Sequence, residues 1–353
     1  MLSLRGMWKI HSPDLQFGEF IGTLAVDSNF HVWAEFIKQV HLQRENWQES
    51  WAERIKFAVL DGENWKISSL VDVVLDLRDL IMDMVYSSDT LWIRAHSGSI
   101  YGFKSNSLAQ HLDLNPIAAG VAIYSNPRMI PDQTGGIWLA LQKYGAYHWY
   151  HNGYDLLNST NSPLDGSITA VHVDSHKRIW FAVKSGRTAR IICFGEGVWQ
   201  EYTRLQIPRP KETIRHIAVD EADHVWIGWY GQERDSRLGL WRFNKPTQEW
   251  VRFTRRNSNL PSTRIKSLAV DKHNRLWVGT SLGVAIFSND DSACWITVNP
   301  NMSQSPFSRR KAGQIMVSGN QLEMHCLMDK AIIDSEGRIY MRSSKGLAIF
   351  NET

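Results

Sequence analysis

Ile214-Arg-His-Ile-Ala-Val-Asp220, five residues and then Trp226-Ile-Gly228 lie over Ile265-Lys-Ser-Leu-Ala-Val-Asp271, five residues and then Trp277-Val-Gly279. The two copies are offset by 271 − 220 = 51 residues. Each continues into a short apolar run, Leu240-Trp-Arg-Phe243 and Gly283-Val-Ala-Ile-Phe287. Each then reaches a run led by tryptophan, Trp250-Val-Arg-Phe253 and Trp295-Ile-Thr-Val298. Four runs of strand length, rich in β-branched and aromatic residues, predict a repeating unit of four strands.

Carried along the chain, the ruler gives seven units, each anchored on an aromatic residue six positions after an acidic one. They are Asp27 with Trp33, Asp132 with Trp138, Asp174 with Trp180, Asp220 with Trp226, Asp271 with Trp277 and Asp334 with Tyr340, plus a degenerate copy ending at Trp92. Successive aromatic residues are 59, 46, 42, 46, 51 and 63 apart, so the basic unit is about 42 to 46 residues and three copies carry insertions. A repeating four-strand unit predicts an all-β fold, a seven-bladed β-propeller with four-stranded blades, using residues 1–353 as one domain. The seventh unit stops after its third run, Gly346-Leu-Ala-Ile-Phe350, whereas Met7-Trp-Lys-Ile10 precedes the first unit with no partner of its own. Residues 7–10 are therefore expected to form the outer strand of the last blade and close the ring.

Within a unit, the Ile-Ala-Val run suits the crowded inner strand. The acidic residue and its polar followers, such as Asp271-Lys-His-Asn-Arg275, suit the next hairpin, because Asx side chains bond nearby backbone N–H groups and tolerate left-handed turns. The tryptophan then opens the second strand and packs on the next blade. A residue present in nearly every unit serves what every blade needs, so these aspartates read as turn residues and not as metal ligands or catalytic acids.

Ile265 to Phe287, preceded by Asn257-Ser-Asn-Leu-Pro261, resembles the two-component-regulator propeller repeat. The resemblance is close in the fifth and sixth units, recognisable in the first, third, fourth and seventh, and poor in the second. It implies a ligand-binding sensor type of propeller, as in the sensor regions of hybrid histidine kinases and related stand-alone propellers. Those kinases also carry a secretion signal, a membrane span and a kinase core, for which this sequence shows no matching segment. The lyases that inactivate streptogramin antibiotics are related seven-bladed propellers that use a histidine, so the fold admits an enzyme.

Composition narrows the function classes. A net charge of +3 over 353 residues is too small to imply nucleic acid or an anionic membrane, and one basic cluster without interleaved aromatics argues against nucleic acid as the direct target. Cys193, Cys294 and Cys326 are odd in number and irregular in spacing, which predicts reduced buried thiols. No apolar segment of signal-peptide length opens the chain and no run of about 18 apolar residues occurs, so a soluble, cytoplasmic protein is expected. The sequence lacks a Gly-rich phosphate loop, a zinc pattern, a nucleophile elbow and an EF-hand run, so neither cofactor nor metal is expected.

The insertions supply the candidate site. About twenty extra residues, near 38–54, interrupt the first unit and include Trp47 and Trp51; the fifth unit inserts 229–237, with Trp229, Tyr230 and Arg234. The third unit has a shorter piece with Lys143 and Tyr144, and 299–315 separates the sixth and seventh units with Arg309, Arg310 and Lys311. Loops between second and third strands open on the same side of a propeller as the links between blades, so all four interruptions are expected on one face. Aromatic and arginine side chains there would serve as anchors for a protein partner or a small-molecule ligand. If the first insertion makes a helical turn, Trp47 and Trp51 at i and i+4 would instead close into a small apolar patch.

Arg215, Arg264 and Lys266, near the starts of inner strands, are expected at the channel mouth, where they would attract an acidic group. His172, His216 and His325 lie on or beside inner strands, yet each is in a different unit and none has an acid or second histidine at a recurring catalytic spacing. No catalytic residue is assigned. The sequence reads as a non-catalytic recognition or sensor module on the loop-rich face, and the alternative is a propeller lyase or hydrolase working in the channel.

Overall fold

The computed structural model describes residues 6–11, 19–44, 47–75, 79–113, 129–132, 134–141, 145–150, 153–206, 213–230, 238–245, 247–258, 260–281, 283–288, 294–298, 331–334, 336–343 and 346–352. Strand β1 (Gly6–His11) is followed by blade 1, made of β2 (Glu19–Val26), β3 (Val32–Arg44), β4 (Trp47–Asp61) and β5 (Asn64–Ile67). A single 3-10 turn, Leu70–Val73, leads to blade 2, with β6 (Ile81–Ser87), β7 (Thr90–Ala95), β8 (Ser99–Lys104) and β9 (Ser107–Asp113). Blade 3 holds β10 (Met129–Pro131), β11 (Ile137–Leu141), β12 (Gly145–Tyr150) and β13 (Gly153–Leu157). Blade 4 holds β14 (Ser167–Val173), β15 (Ile179–Ser185), β16 (Thr188–Gly195) and β17 (Val198–Gln206). Blade 5 holds β18 (Thr213–Val219), β19 (Val225–Tyr230), β20 (Leu240–Asn244) and β21 (Glu249–Phe253), and blade 6 holds β22 (Ile265–Val270), β23 (Leu276–Thr280), β24 (Gly283–Ser288) and β25 (Cys294–Val298). Blade 7 is β26 (Ala331–Ile333), β27 (Ile339–Ser343) and β28 (Gly346–Glu352), with β1 as its fourth strand.

Every blade is an antiparallel meander of four strands, and each inner strand adjoins that of the next blade until β2 meets blade 7. The ring is a seven-bladed propeller. It is closed as expected: β1 pairs with β28 from Gly6↔Glu352 to His11↔Leu347, a little longer than residues 7–10.

The aspartate six residues before each aromatic side chain ties the hairpin to the core. Asp271 Oδ1 accepts the backbone N–H groups of His273 and Arg275, both at 2.9 Å. Its Oδ2 accepts Arg275 Nε–H at 2.6 Å and the Trp277 indole N–H at 2.8 Å. The same knot recurs at Asp27, Asp174 and Asp220, with His31, Arg178 and His224 in the place of Arg275. In blade 7 the Tyr340 hydroxyl donates to Asp334 at 2.8 Å, which explains why tyrosine can replace tryptophan there and why an N–H or O–H must sit at that position. Each knot supports a left-handed residue three places after the aspartate, among them Phe30 (φ 67), Lys177 (φ 61) and Asn274 (φ 56).

Blade 2 lacks this aspartate and uses its neighbour's instead. Ser87 Oγ donates to Asp132 Oδ1 at 3.3 Å, and the Trp92 indole donates to the Gly135 carbonyl at 3.0 Å. In blade 3, His148 reaches Asp132 Oδ2 from the third strand at 2.8 Å and stacks on Trp138 with 4.3 Å between ring centres.

The tryptophans that end these knots fill the joints between blades. Trp180, Trp226 and Trp277 are fully buried, and Trp226 packs with Leu260, Ile265, Leu276 and Phe287 of blade 6. The Trp-x-Gly pattern sets how close the blades come. A Cβ on Gly228 would lie 2.7 Å from Ile265 Cγ2, so the start of β22 rests directly on the glycine. Blades 1 and 2 carry Glu35 and Arg94 at the equivalent place, two residues after Trp33 and Trp92.

Candidate functional site

The Asp knots lie on the hairpins joining first and second strands and so define one face of the ring. The starts of the inner strands and the ends of the second strands, such as Thr213 opposite Tyr230, lie toward the opposite face. Channel and face meet where the inner strands begin, and there a local irregularity recurs. Five inner strands slip register by one residue against their partners, at Ile21/Thr23, Ile81/Asp83, Ile168/Ala170, Ile214/His216 and Ile265/Ser267.

A bulge leaves one residue outside the ladder and re-aims it. The isoleucine before each bulge is buried, while the bulged residues Gly22, Met82, Thr169, Arg215 and Lys266 are all accessible. Arg215 and Arg264 are exposed and Lys266 is partly so. The three cations that the sequence assigns to the mouth thus come from adjoining blades 5 and 6, two of them on bulges. His216 follows Arg215 and is partly buried. His172 is partly accessible on β14; burial pushes its imidazole down to about 4, against the pull of Asp174, so the ring is neutral at pH 7.

The first insertion is a long β-hairpin, not a helical turn. Strands β3 and β4 run to 13 and 15 residues, against five to seven for the other second strands. Pairing continues from Gln39↔Ala52 to Arg44↔Trp47, beyond the last β2 partner, Lys38. Those six pairs make a two-stranded arm about 20 Å long at roughly 3.3 Å per residue. Val40 stands opposite Trp51, so both tryptophans lie on the arm.

Trp229 departs from its expected role as a surface anchor. Only 5% exposed, it belongs to the core between blades 4 and 5 with Ile191, Ile214 and Leu238. Its position explains this: it pairs with Ile214 on the inner strand, inside the blade and short of the insertion. Its indole N–H finds no acceptor among the described residues. Trp229→Phe removes that unpaired donor while keeping most of the ring, so it is expected to change stability by less than about 1.5 kcal/mol in thermal unfolding. Tyr230 ends β19, opposite Thr213. Lys143, Tyr144, Arg234, Arg309, Arg310 and Lys311 lie outside the described residues, as do His325 and Cys326. Cys193 is a free buried thiol that burial pushes up to about 12.

The polar joints of blades 1 to 3 carry side chains that the repeat pattern did not single out. Glu35 is 1% exposed and its Oε1 accepts the Ile81 N–H of blade 2 at 2.8 Å. Asp83 Oδ2 accepts the Met129 N–H of blade 3 at 2.7 Å, beside buried Arg94. Each acid thus receives the first inner-strand N–H of the following blade. The signal was present as charged residues in the small-residue position of Trp-x-Gly.

Among the described residues, no group of three or more His, Cys, Asp or Glu side chains is placed to hold a metal ion. Among the same residues, no helix is long and apolar enough to cross a membrane.

Residues 259–281, from the sixth repeat, match the family model described as two component regulator propeller. No curated protein matches the chain in sequence. Its fold is similar to that of the extracellular domain of BT4673 from B. thetaiotaomicron, with a TM-score of 0.58 and 14% identity over 97% of this chain. The match covers 39% of that longer chain. A catalytically inactive virginiamycin B lyase from Staphylococcus aureus with quinupristin gives a TM-score of 0.62 at 12% identity, covering 98% of this chain and 99% of the lyase. YCF48 bound to D1 peptide gives 0.59 at 12% identity, covering 99% of this chain and all of that one (100%). At these identities the likeness shows the fold alone.

Proposed function

We propose that this propeller is a non-catalytic recognition module which binds a protein partner or a ligand on the loop-rich face, within a larger cytoplasmic system. The observation that carries this reading is that bulges on the adjoining inner strands β18 and β22 carry accessible Arg215 and Lys266, with exposed Arg264 just before β22. A cationic sector of this kind favours an acidic group, since cations in a walled cleft focus field and steer association. The β3–β4 arm stands on the same face and widens the surface on offer. A YCF48 propeller bound to a peptide and the sensor-type repeat match support a binding role for the architecture. The lyase with quinupristin offers the enzymatic alternative. His172 and His216 come from different blades, and His172 has no hydrogen-bonded acid among the described residues to orient it.

The test is quantitative capture from host lysate by immobilised protein, read by mass spectrometry across a salt series. Arg215→Glu, Arg264→Glu and Lys266→Glu together are expected to weaken capture of a stoichiometric partner at least about tenfold, the scale of one strong hot spot, and to flatten its salt dependence. Lys177→Glu, on an exposed knot hairpin of the other face, should leave capture unchanged. Equal capture by the triple variant, or loss with Lys177→Glu instead, overturns the assignment of the face.

A further inference from the structure

The joint between blades 1 and 2 holds two buried ionisable side chains that are not paired with each other. Glu35 Oε1 is bonded to the Ile81 N–H, whereas Oε2 has no partner among the described residues. That oxygen occupies the space a side chain on Gly22 would need, since a Cβ there would lie 2.9 Å from it. Arg54, opposite Ile37 at the base of the arm, is 3% exposed. Its Nη2 donates to the Leu75 carbonyl at 2.9 Å and reaches Asp72 Oδ1 at 3.5 Å. Its Nη1 has no partner among the described residues.

Burial pushes the Glu35 carboxyl up to about 8, against the Ile81 hydrogen bond and the Arg54 charge, with Asp79 adding to the rise. The charged groups around it are Arg54 from β4, Asp79 from the link before β6 and, through Arg54, Asp72 of the 3-10 turn. The Asp83 and Arg94 pair lies one strand further, on β6 and β7.

We propose that Glu35 and Arg54 form a proton-operated latch that sets how the Leu70–Leu75 link seats on the blade 2 core, where Leu70, Val71 and Leu75 pack with Ile81, Met84 and Ile93. While Glu35 holds its proton, Arg54 is committed to Leu75 and Asp72 and pins the link. When Glu35 releases the proton to solvent, a buried carboxylate is left that needs a cation, and the open Nη1 of Arg54 is the donor at hand. Turning Arg54 toward Glu35 withdraws it from the Leu75 carbonyl and frees the link. The latch is independent of the recognition reading, because it concerns only the seating of the Leu70–Leu75 link.

The sign follows from linkage. A carboxyl raised in the folded state contributes stability that is complete below its ordinary value of 4.5 and is lost as pH rises toward about 8. The experiment is hydrogen–deuterium exchange of peptides spanning 68–81, corrected for intrinsic exchange, between about pH 6 and pH 9, alongside thermal unfolding. In the wild type, exchange of this segment should rise about tenfold with a midpoint near 8. Glu35→Gln keeps the acceptor for Ile81 and cannot ionise, so its exchange should stay at the low-pH level throughout. Arg54→Met provides the second arm: the link should exchange fast at every pH, and no step should appear in it. A flat wild-type profile, or the same step in Glu35→Gln, overturns the latch, and so does a link that stays protected in Arg54→Met.

Discussion

Deletion of residues 1–11 is expected to lower the melting temperature by more than about 10 °C, the largest effect of any change considered. The strand it removes supplies the outer edge of blade 7 through six paired residues, Gly6 to His11 against Glu352 to Leu347. Its ladder hydrogen bonds are each worth about 1 kcal/mol net, so the loss is about 5 kcal/mol before any packing is counted. That consumes much of the usual 5–15 kcal/mol margin of a folded domain. At roughly 2 °C per kcal/mol for a chain of this size, the shift in melting temperature follows. The deletion also bares the edge of β28, which invites pairing with other chains, so aggregation should begin at a lower temperature than in the intact protein. A synthetic peptide of residues 1–12 added in trans should recover part of the loss by adding a strand to that edge. A melting temperature unchanged by the deletion would show that the ring does not depend on its N-terminal strand.

The fold was legible because the features that specify a blade repeat. Asp at the hairpin, an N–H or O–H donor six residues later and a glycine two beyond that are read as one device once several copies are aligned. The structure supplies the reason for each. The carboxylate bridges hairpin and indole, and the glycine lets Ile265 approach. The degenerate second blade was legible only as a weak copy, because its Ser87 and Trp92 complete their bonding through Asp132 and Gly135 of the next blade, some 45 residues away in sequence.

The site was less legible, since its features are departures from the repeat and not part of it. Nothing in Trp229 itself distinguishes a core indole from an anchor; its pairing with Ile214 decides. The spacing of Trp47 and Trp51 fits a helical turn, but at i and i+4 it also fits a strand, and the continuous pairing of β3 with β4 selects the strand. Arg215, Arg264 and Lys266 lie at or just before the starts of β18 and β22, yet the bulge that makes Arg215 and Lys266 accessible depends on cross-strand register, which a single strand does not reveal. Glu35 is not legible as a joint residue, because a lone charge two places after a tryptophan carries no signal until its partner, the Ile81 N–H, is known.

Replacement of Asp271 by alanine is expected to destabilise the protein by about 3–5 kcal/mol, the range for breaking a buried ion pair by removing one partner. Asp271 and Arg275 are both about 4% exposed, and the carboxylate is the acceptor for two backbone N–H groups, the guanidinium and the indole of fully buried Trp277. Alanine leaves Arg275 without its carboxylate and Trp277 without its acceptor, and the turn at left-handed Asn274 (φ 56°) keeps only its backbone bonds, Asn274 N–H to the Asp271 carbonyl and Asp271 N–H to the Arg275 carbonyl. Asparagine should be milder, because its carbonyl oxygen still serves the two backbone donors while its amide faces the Arg275 and Trp277 donors. The decisive variant pairs Asp271→Ala with Arg275→Leu. If the cost lies chiefly in an uncompensated buried cation, the double variant should be more stable than Asp271→Ala alone, with a coupling of about 2 kcal/mol in a double-mutant cycle. If the turn and the indole bond dominate instead, the two changes should add. The measurement is urea unfolding of the four proteins of the cycle, and strict additivity would assign the knot's stability to its backbone and tryptophan bonds, not to the ion pair.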